Sequence, residues 1–443
     1  MIPTTTPKNI IWVFGDQHRA QAIGHRGDPN LHTPNMDRMA VEGISFEQAV
    51  GGCPLCCPFR GSLLSSRYPH QAVHGHEIQL DPKMPTVATA FNEAGYDTAW
   101  FGKWHVDGHH ESEGRGAHHI IPPERRGGFK VWCGFENNNS QWDSWVHGGE
   151  GEKAFHYKLP GFETDALTDL FIEDLQKKAK SGTPFFSVLS VQPPHNPYAA
   201  PEDFMGMHNP SELELRQNVP DIPRITKKAR KDLAGYYAMI ENLDWNLGRI
   251  RAILDKTGIT EDTWILFFSD HGDMHGSHGQ FLKTSPLEES IRVPCILAGG
   301  VPFYEHPVGG RDIPMNHVDY GPTSLGLCGI KVPDWMMGTD YSGILLRNEP
   351  KSPYPESAYL QLVSPTSHHN SIDRPWRGVV TRDNWKYIVL EGQPWMMFNL
   401  NEDPYELANL AHNSLFRKER RHLQNLLEEW IEKTDDTFIL PEI

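Results

Sequence analysis

Apolar residues along the chain fall into two kinds of pattern. Four runs are continuous and rich in β-branched or aromatic residues: Asn9–Phe14, Thr98–Gly102, Pro184–Val191 and Trp264–Ser269. Such runs predict buried strands. Between them the spacing becomes helical. Thr33 to Gly43 opens on Thr-Pro, a cap followed by proline in the first turn, and closes on glycine. Thr86–Gly95, Phe162–Lys180 and Lys227–Gly258 follow, the last with Tyr236, Met239, Ile240, Leu243 and Leu247 at helical spacing. Strands alternating with helices predict an α/β fold with a mostly parallel sheet covered on both faces. Functional residues are then expected in loops at the carboxyl ends of the strands.

The texture changes near residue 350. A Pro/Ser-rich stretch, Lys351–Pro365, precedes an antiparallel-looking segment, Trp376–Val389, then Phe398–Leu400. A charged amphipathic helix from Leu415 to about Lys433 closes the chain. Residues 1–350 therefore read as a large α/β domain and 351–443 as a small α+β subdomain packed on it, with a short antiparallel sheet. No stretch approaches the ~18–20 apolar residues that span a bilayer. The N-terminus has neither a basic n-region nor an Ala-x-Ala site. The chain as written is expected in the cytoplasm, or in the periplasm had a leader been removed.

Composition changes this picture in two places. The net charge of −16 argues against nucleic acid as a partner. At first sight it also argues against an anionic substrate. The 6 cysteines are too few for a disulfide scaffold at 443 residues. Cys53, Cys56 and Cys57 nevertheless cluster, which points to chemistry more than to stapling. Taken alone, Cys53-x-x-Cys56 reads as half a zinc site, a redox pair or buried structural cysteines, and no second Cys pair completes a zinc set.

One stretch carries the strongest signal: Cys56-Cys57-Pro58-Phe59-Arg60-Gly61-Ser62-Leu63-Leu64-Ser65-Ser66-Arg67. Cys-x-Pro-x-Arg followed by Leu-Leu-Ser-x-Arg resembles the signature of the type I, formylglycine-dependent sulfatases of the alkaline-phosphatase-like superfamily. Pro58 and Arg60 set the register. They make Cys56 the residue that the family oxidises to Cα-formylglycine, and Cys57 the variable one. Phe59 stands where the family usually has Ser or Ala, and Ser66 where it has Gly. Further blocks are similar to the family in the same order. Asn9–Gln17 ends in Asp16-Gln17 where Asp-Asp is commoner, and Thr33–Ala40 and Gly102-Lys103-Trp104-His105 follow. Then come Pro194-His195-Asn196-Pro197, Ser269-Asp270-His271-Gly272 with Lys283 and Glu288–Pro294, and Asn399–Glu406.

The resemblance implies an alkaline-phosphatase-like sandwich, with a large mostly parallel central sheet flanked by helices, that hydrolyses a sulfate monoester. The residues support that chemistry in their own right. Charge developing on the sulfuryl and leaving oxygens can be held by a divalent metal, fixed cations, an activated nucleophile and a general acid. Asp16 and Asp270 each end an apolar run, so both carboxylates can face one point at the sheet's carboxyl edge. With Gln17 and the oxygen of a modified Cys56 they form an oxygen-rich set suited to Ca²⁺ or Mg²⁺. His271 adds a nitrogen, which leaves Mn²⁺ open. Arg60 lies one helical turn beyond Cys56, and Lys103 and His105 alternate at a strand end and share a face.

Roles come from the resemblance. It implies that Lys103 and Lys283 bind sulfate, His195 or Lys283 protonates the leaving oxygen, and His105 assists breakdown of the sulfated intermediate. His70, His74 and Glu77 follow the nucleophile segment and are the first candidates for substrate contacts. Trp104, Trp132 and Trp142 are candidates for stacking on sugar rings or for the core. The expected substrate is a small-molecule or oligosaccharide sulfate ester, a sulfated sugar first, with aryl or alkyl sulfates as the alternative. The expected protein partner is a formylglycine-generating or sulfatase-maturating enzyme; neither nucleic acid nor a membrane is expected, and a homo-oligomer is left open. The shared fold also admits a phosphonate monoester or phosphodiester hydrolase, but those tend to lose the Lys and His that Lys103 and His105 retain. A non-catalytic sulfated-glycan-binding protein is the alternative of another class.

Overall fold

A computed structural model describes residues 8–300, 312–347, 354–366 and 372–443. The domain boundary expected at residue 350 lies outside the described residues. The core is a nine-stranded sheet with strands β1 (Asn9–Gly15), β2 (Ile44–Ser45), β3 (Asp97–Lys103), β4 (Val131–Phe135), β5 (Trp145–Gly148), β6 (Phe155–Lys158), β7 (Phe185–Ser190), β8 (Thr263–Ser269) and β9 (Cys295–Gly299). Its order is β2-β9-β8-β1-β7-β3-β4-β5-β6. The centre, β8-β1-β7-β3-β4, is parallel, and antiparallel strands flank it at both edges.

The four strands expected from continuous apolar runs form the middle of this sheet, where both faces are covered. Along β1, Ile10, Trp12 and Phe14 pack on one side with Phe59, Leu63, Phe91 and Tyr320. Ile11 and Val13 pack on the other with Met36, Leu167, Leu243 and Leu247. Alternating sides of one strand thus feed two cores, and each residue has period-two neighbours of its own kind. The expected helices form as well. Pro34–Glu42 is bounded by Thr33 and Gly43, and Thr86 caps Val87–Glu93 through a reciprocal bond with Thr89. Pro223–Thr257 ends at Gly258, whose φ of 72° closes the helix. No described helix is long and apolar enough to cross a membrane.

A second, antiparallel sheet follows: β10 (Ser357–Leu362), β11 (Trp376–Thr381), β12 (Trp385–Leu390) and β13 (Gln393–Asn399). β10 lies inside the Pro/Ser-rich stretch, where no strand is expected because its SAYLQL core is flanked by the prolines that dominate the pattern. One face of this sheet packs Leu360, Trp376 and Ile388 on Val50, Cys53, Leu55 and Ile291 of the main body. The other face carries the helix Arg417–Lys433 through Leu423, Leu427 and Trp430. The small sheet therefore backs directly onto the nucleophile segment.

Candidate active site

Adjacent parallel strands deliver the acidic pair. β1 and β8 run in register, with Gly15 opposite Ser269, so the next residues, Asp16 and Asp270, leave the sheet at the same level. β3, paired with β7, brings Lys103 by the same device, with Gly102 opposite Ser190 and Lys103 one residue on. Gly102 has φ +101°, and a Cβ there would lie 2.0 Å from Ser190 O. Only glycine allows β3 this close to β7 where Lys103 emerges.

Cys56 opens the helix Cys56–Ser65, so its side chain sits at the positive end of the helix dipole. The thiol is 1% exposed. Its Sγ lies 3.5 Å from Asp16 Oδ1, 3.3 Å from His271 Nε2 and 3.0 Å from Lys283 Nζ. Burial and the Asp16 charge push the thiol pKa up, but Lys283, Lys103 and His271 outweigh them and leave it below its ordinary value. Arg60, one turn on, donates to Lys103 O and Ser190 Oγ, both at 2.8 Å, and lies 3.5 Å from Asp16 Oδ2. Lys103 Nζ is 2.7 Å from the same Asp16 oxygen. Burial opposes ionisation of Asp16, yet Lys103, His195, Lys283 and His271 hold its pKa well below the carboxylate norm.

A cation would fit the acidic end. One ligand atom from each of Asp16, Cys56, Asp270 and His271 lies within 4.8 Å of the others. Asp270 Oδ2 and Gln17 Oε1 are buried acceptors with no hydrogen-bond partner, a costly arrangement that a metal ion relieves. The neighbours hold these groups in pose. Asp270 Oδ1 accepts from the Gln17 and His271 main-chain N–H groups, both at 2.8 Å. Asp273 Oδ2 accepts from Gln17 Nε2 at 2.6 Å. His271 Nδ1 faces Gly272 O at 3.0 Å, so Nδ1 carries the proton and Nε2 is free to coordinate.

Strained backbone marks the same edge. Gln17, His105, Leu282 and Thr284 have φ of 76°, 59°, 64° and 72°, a region in which non-glycine residues cost about 1–3 kcal/mol each. Lys283, between two of them, is held from behind: Thr284 N donates to Pro54 O at 3.1 Å and Trp376 Nε1 to Thr284 O at 3.1 Å. The C-terminal sheet thus fixes the lysine that touches Cys56. Burial and the positive charges of Lys103, His76 and Arg60 depress the His105 pKa well below normal. His195 sits in a loop pinned by Gln141, which donates to its carbonyl at 2.6 Å.

The structure brings together Asp16, Gln17, Cys56, Arg60, Lys103, His105, His195, Asp270, His271 and Lys283. It does not bring the three expected substrate contacts to this point. His70 is turned toward the small sheet, with Gln361 at 2.9 Å and Thr434 O at 2.8 Å, because the left-handed Ser66 turns the chain where the helix ends. His74 is exposed. Glu77 bonds His110 at 2.8 Å and backs His76. Trp104 and Trp132 are core residues, whereas Trp142 is 46% exposed. Ser190 and Asp273 were missed. Asp273 follows Asp270 within one acidic block and was legible, while Ser190 ends a strand with no signal of its own. A cavity of about 750 Å³ lined by Arg26, Arg216, Arg292 and Tyr405 shares no residue with this cluster, so chemistry and not cavity size locates the site.

A family model described as Sulfatase matches residues 8–330. The chain belongs to the sulfatase family. A second model, described as N-sulphoglucosamine sulphohydrolase, C-terminal, matches residues 276–433 of this sulfatase. Over 98% of the chain and 83% of its relative, it is 32% identical to an ulvan-active sulfatase of Formosa agariphila. It is an enzyme that hydrolyses sulfate esters. A protein solved in complex with its substrate D-glucosamine-2-N,6-O-disulfate superposes with a TM-score of 0.83 at 22% identity, covering 97% of this chain and 99% of that one. The phosphonate monoester hydrolase of Agrobacterium radiobacter gives a TM-score of 0.75 at 22% identity, covering 96% of each chain. At such identities the likeness is one of fold, so the reaction must be argued from the site.

Proposed function

We propose that this sulfatase removes sulfate from a sulfated saccharide, using Cys56 matured to Cα-formylglycine and one divalent cation. The observation that carries the reading is the position of Cys56, in contact with Asp16 and His271 on one side and Lys283 on the other. Once matured, residue 56 would supply the attacking hydroxyl from its hydrated aldehyde. Asp16, Gln17, Asp270 and His271 would hold the cation, Ca²⁺ by the oxygen-rich set, which supplies Lewis-acid stabilisation of developing negative charge. The ulvan-active relative supports a saccharide substrate.

The chain's own groups divide the remaining work. Lys103, Lys283 and Arg60 supply the positive field for the sulfuryl oxygens, in a buried setting where charge acts strongly. Lys283 touches the nucleophile, and in an in-line displacement the leaving oxygen departs from the opposite side. That leaves His195 to hand a proton to the sugar oxygen. His105, whose depressed pKa keeps it neutral, can then accept a proton as the sulfated intermediate breaks down. Because Cys56 is buried, its maturation by a formylglycine-generating or sulfatase-maturating enzyme must precede folding.

Sulfate release from a chromogenic sulfate ester, with phosphate and phosphonate esters as controls and a panel of sulfated mono- and oligosaccharides, tests the reading. Peptide mass spectrometry reports the state of Cys56. Full activity in Cys56→Ala, or preference for the phosphonate, would sink it.

A further inference from the structure

Cys57 is a buried thiol that the sulfatase chemistry leaves over, and it lies against two histidines. Its Sγ lies 3.6 Å from His76 Nδ1, and His76 stands edge-on to His105 with ring centroids 5.6 Å apart. One ligand atom from each of Cys57, His76 and His105 falls within 4.8 Å of the other two. His105 Nδ1 is buried with no hydrogen-bond partner.

The spacing matches a metal set. With Zn–S at about 2.3 Å and Zn–N at about 2.0–2.1 Å, tetrahedral sulfur and nitrogen ligands stand about 3.6 Å apart. Cys57 and His76 already have that separation, and a contraction of the third ligand completes the triad. His76 also has the support typical of a ligating histidine. Its Nε2 lies 3.7 Å from Glu77 Oε1, and Glu77 Oε2 is 2.8 Å from His110 Nδ1, so a carboxylate stands behind the ring within ion-pair distance. One thiolate and two imidazoles select Zn²⁺ or a similar ion. The oxygen-rich set at Asp16 and Asp270 selects Ca²⁺ or Mg²⁺ instead.

We propose that Cys57, His76 and His105 form a second metal site that takes Zn²⁺ or a like thiophilic divalent ion and silences the enzyme by engaging His105. Binding exchanges the Cys57 thiol proton for the metal, the proton leaving to solvent, and no electron moves. Only the silencing rests on the sulfatase reading; metal capture does not.

The test uses the full chain matured at Cys56, with Ca²⁺ in excess. Co²⁺ titration should raise a thiolate-to-cobalt charge-transfer band in the near ultraviolet. Zn²⁺ should inhibit hydrolysis of a chromogenic sulfate ester, with no relief from added Ca²⁺. Cys57→Ser should lose the band and need at least about tenfold more Zn²⁺ for inhibition, at unchanged turnover without zinc. His76→Gln should lose zinc sensitivity likewise, and carries the test if Cys57→Ser folds poorly. Unchanged zinc inhibition in both variants, or no thiolate band with Co²⁺, overturns the proposal. A chain that binds Co²⁺ through Cys57 yet releases no sulfate keeps the site and defeats the functional reading instead.

Discussion

Replacing His195 by glutamine separates proton transfer from sulfate binding. Nδ1 of His195 lies 2.7 Å from Asn196 O. A carbonyl only accepts, so in the neutral ring Nδ1 carries the proton, and in the proposed role Nε2 is the atom that would gain and give up the transferred one. The loop is held by main-chain groups, with His195 N donating to Gln192 O at 3.0 Å and Gln141 donating to His195 O. Glutamine keeps both bonds, so the substitution removes the acid and not the loop. General acid catalysis is worth about 10²–10⁴-fold, or about 3–5 kcal/mol of barrier. That loss should fall on a sugar sulfate, whose alkoxide leaves badly without a proton. A nitrophenyl sulfate, which leaves as a stabilised phenolate, should lose about tenfold or less. Kinetics of both esters against pH provide the assay. Burial lowers the His195 pKa, and Lys283 and Lys103 lower it further against Asp16. The free enzyme therefore carries a neutral ring near pH 7, and kcat/KM for the sugar ester should fall as pH rises through that depressed value. A bound sulfate offsets the lysines and raises the pKa, so kcat should persist to higher pH. Equal losses on both esters, or pH limbs that survive in His195→Gln, would refute the assignment. Leaving-group dependence appearing in Lys283→Gln instead would move the acid to Lys283.

Chelation should abolish activity, and Ca²⁺ at about a hundred times its Kd should restore it and add about 2.7 kcal/mol to unfolding; a calorimetric Tm that still rises with Ca²⁺ in Asp270→Ala would contradict the metal set. Lys386, fully buried, bonds Pro286 O at 2.9 Å and Glu288 at 3.1 Å and pairs with Glu406. Glu288 keeps Arg292 at 2.7 Å, so Lys386→Met should cost about 3–5 kcal/mol chiefly by leaving the buried Glu406 carboxylate without a cation, measured by denaturant unfolding. Burial and nearby Asp107 push the Glu136 pKa from 4.5 to about 7. The folded chain then binds a proton that the unfolded one has released, so this group lowers stability as pH rises from about 4.5 to about 7; Asp244, Asp319 and Glu406 are raised in the same sense, so thermal scans of Glu136→Gln should show a shallower slope than the parent. Trp142, exposed beside Gln141, should stack on a sugar, and Trp142→Ala should raise KM for a saccharide by roughly two- to tenfold while leaving a nitrophenyl ester unaffected.

What was legible in the sequence follows from burial. β1, β3, β7 and β8 are covered on both faces, so they appear as unbroken apolar runs, and register alone then places Asp16, Lys103 and Asp270 at one edge. β6 reads FHYK and is mostly exposed, β9 is short, and β10 hides between prolines; none has enough pattern to be seen. The miss at His70 has another cause. Proximity in sequence to Cys56 says nothing of which way a side chain turns after the helix ends, and Ser66, at φ 51°, reverses the chain toward the small sheet. The partners it meets, Gln361 and Thr434, lie hundreds of residues away. Resemblance to a family supplied the roles, and the structure adds the contact between Lys283 and Cys56.

Net charge is the clearest case of a global quantity failing locally. The chain carries −16, yet at the sheet edge two carboxylates face Arg60, Lys103 and Lys283, all buried. Screening removes the surface acids from the reckoning beyond about 8–10 Å at physiological salt, whereas the buried cations act through low dielectric. A divalent ion between Asp16 and Asp270 would release the cations from neutralising carboxylates and turn them toward an anion. On the proposed mechanism the acidic pair and the basic triad are therefore one device: a bound metal would not merely activate the nucleophile, it would make the positive field available to sulfate. That coupling predicts that KM for a sulfate ester depends on metal occupancy as strongly as kcat does. Partial chelation that lowered kcat with KM unchanged would show the field to be independent of the metal, and the coupling argument would fall.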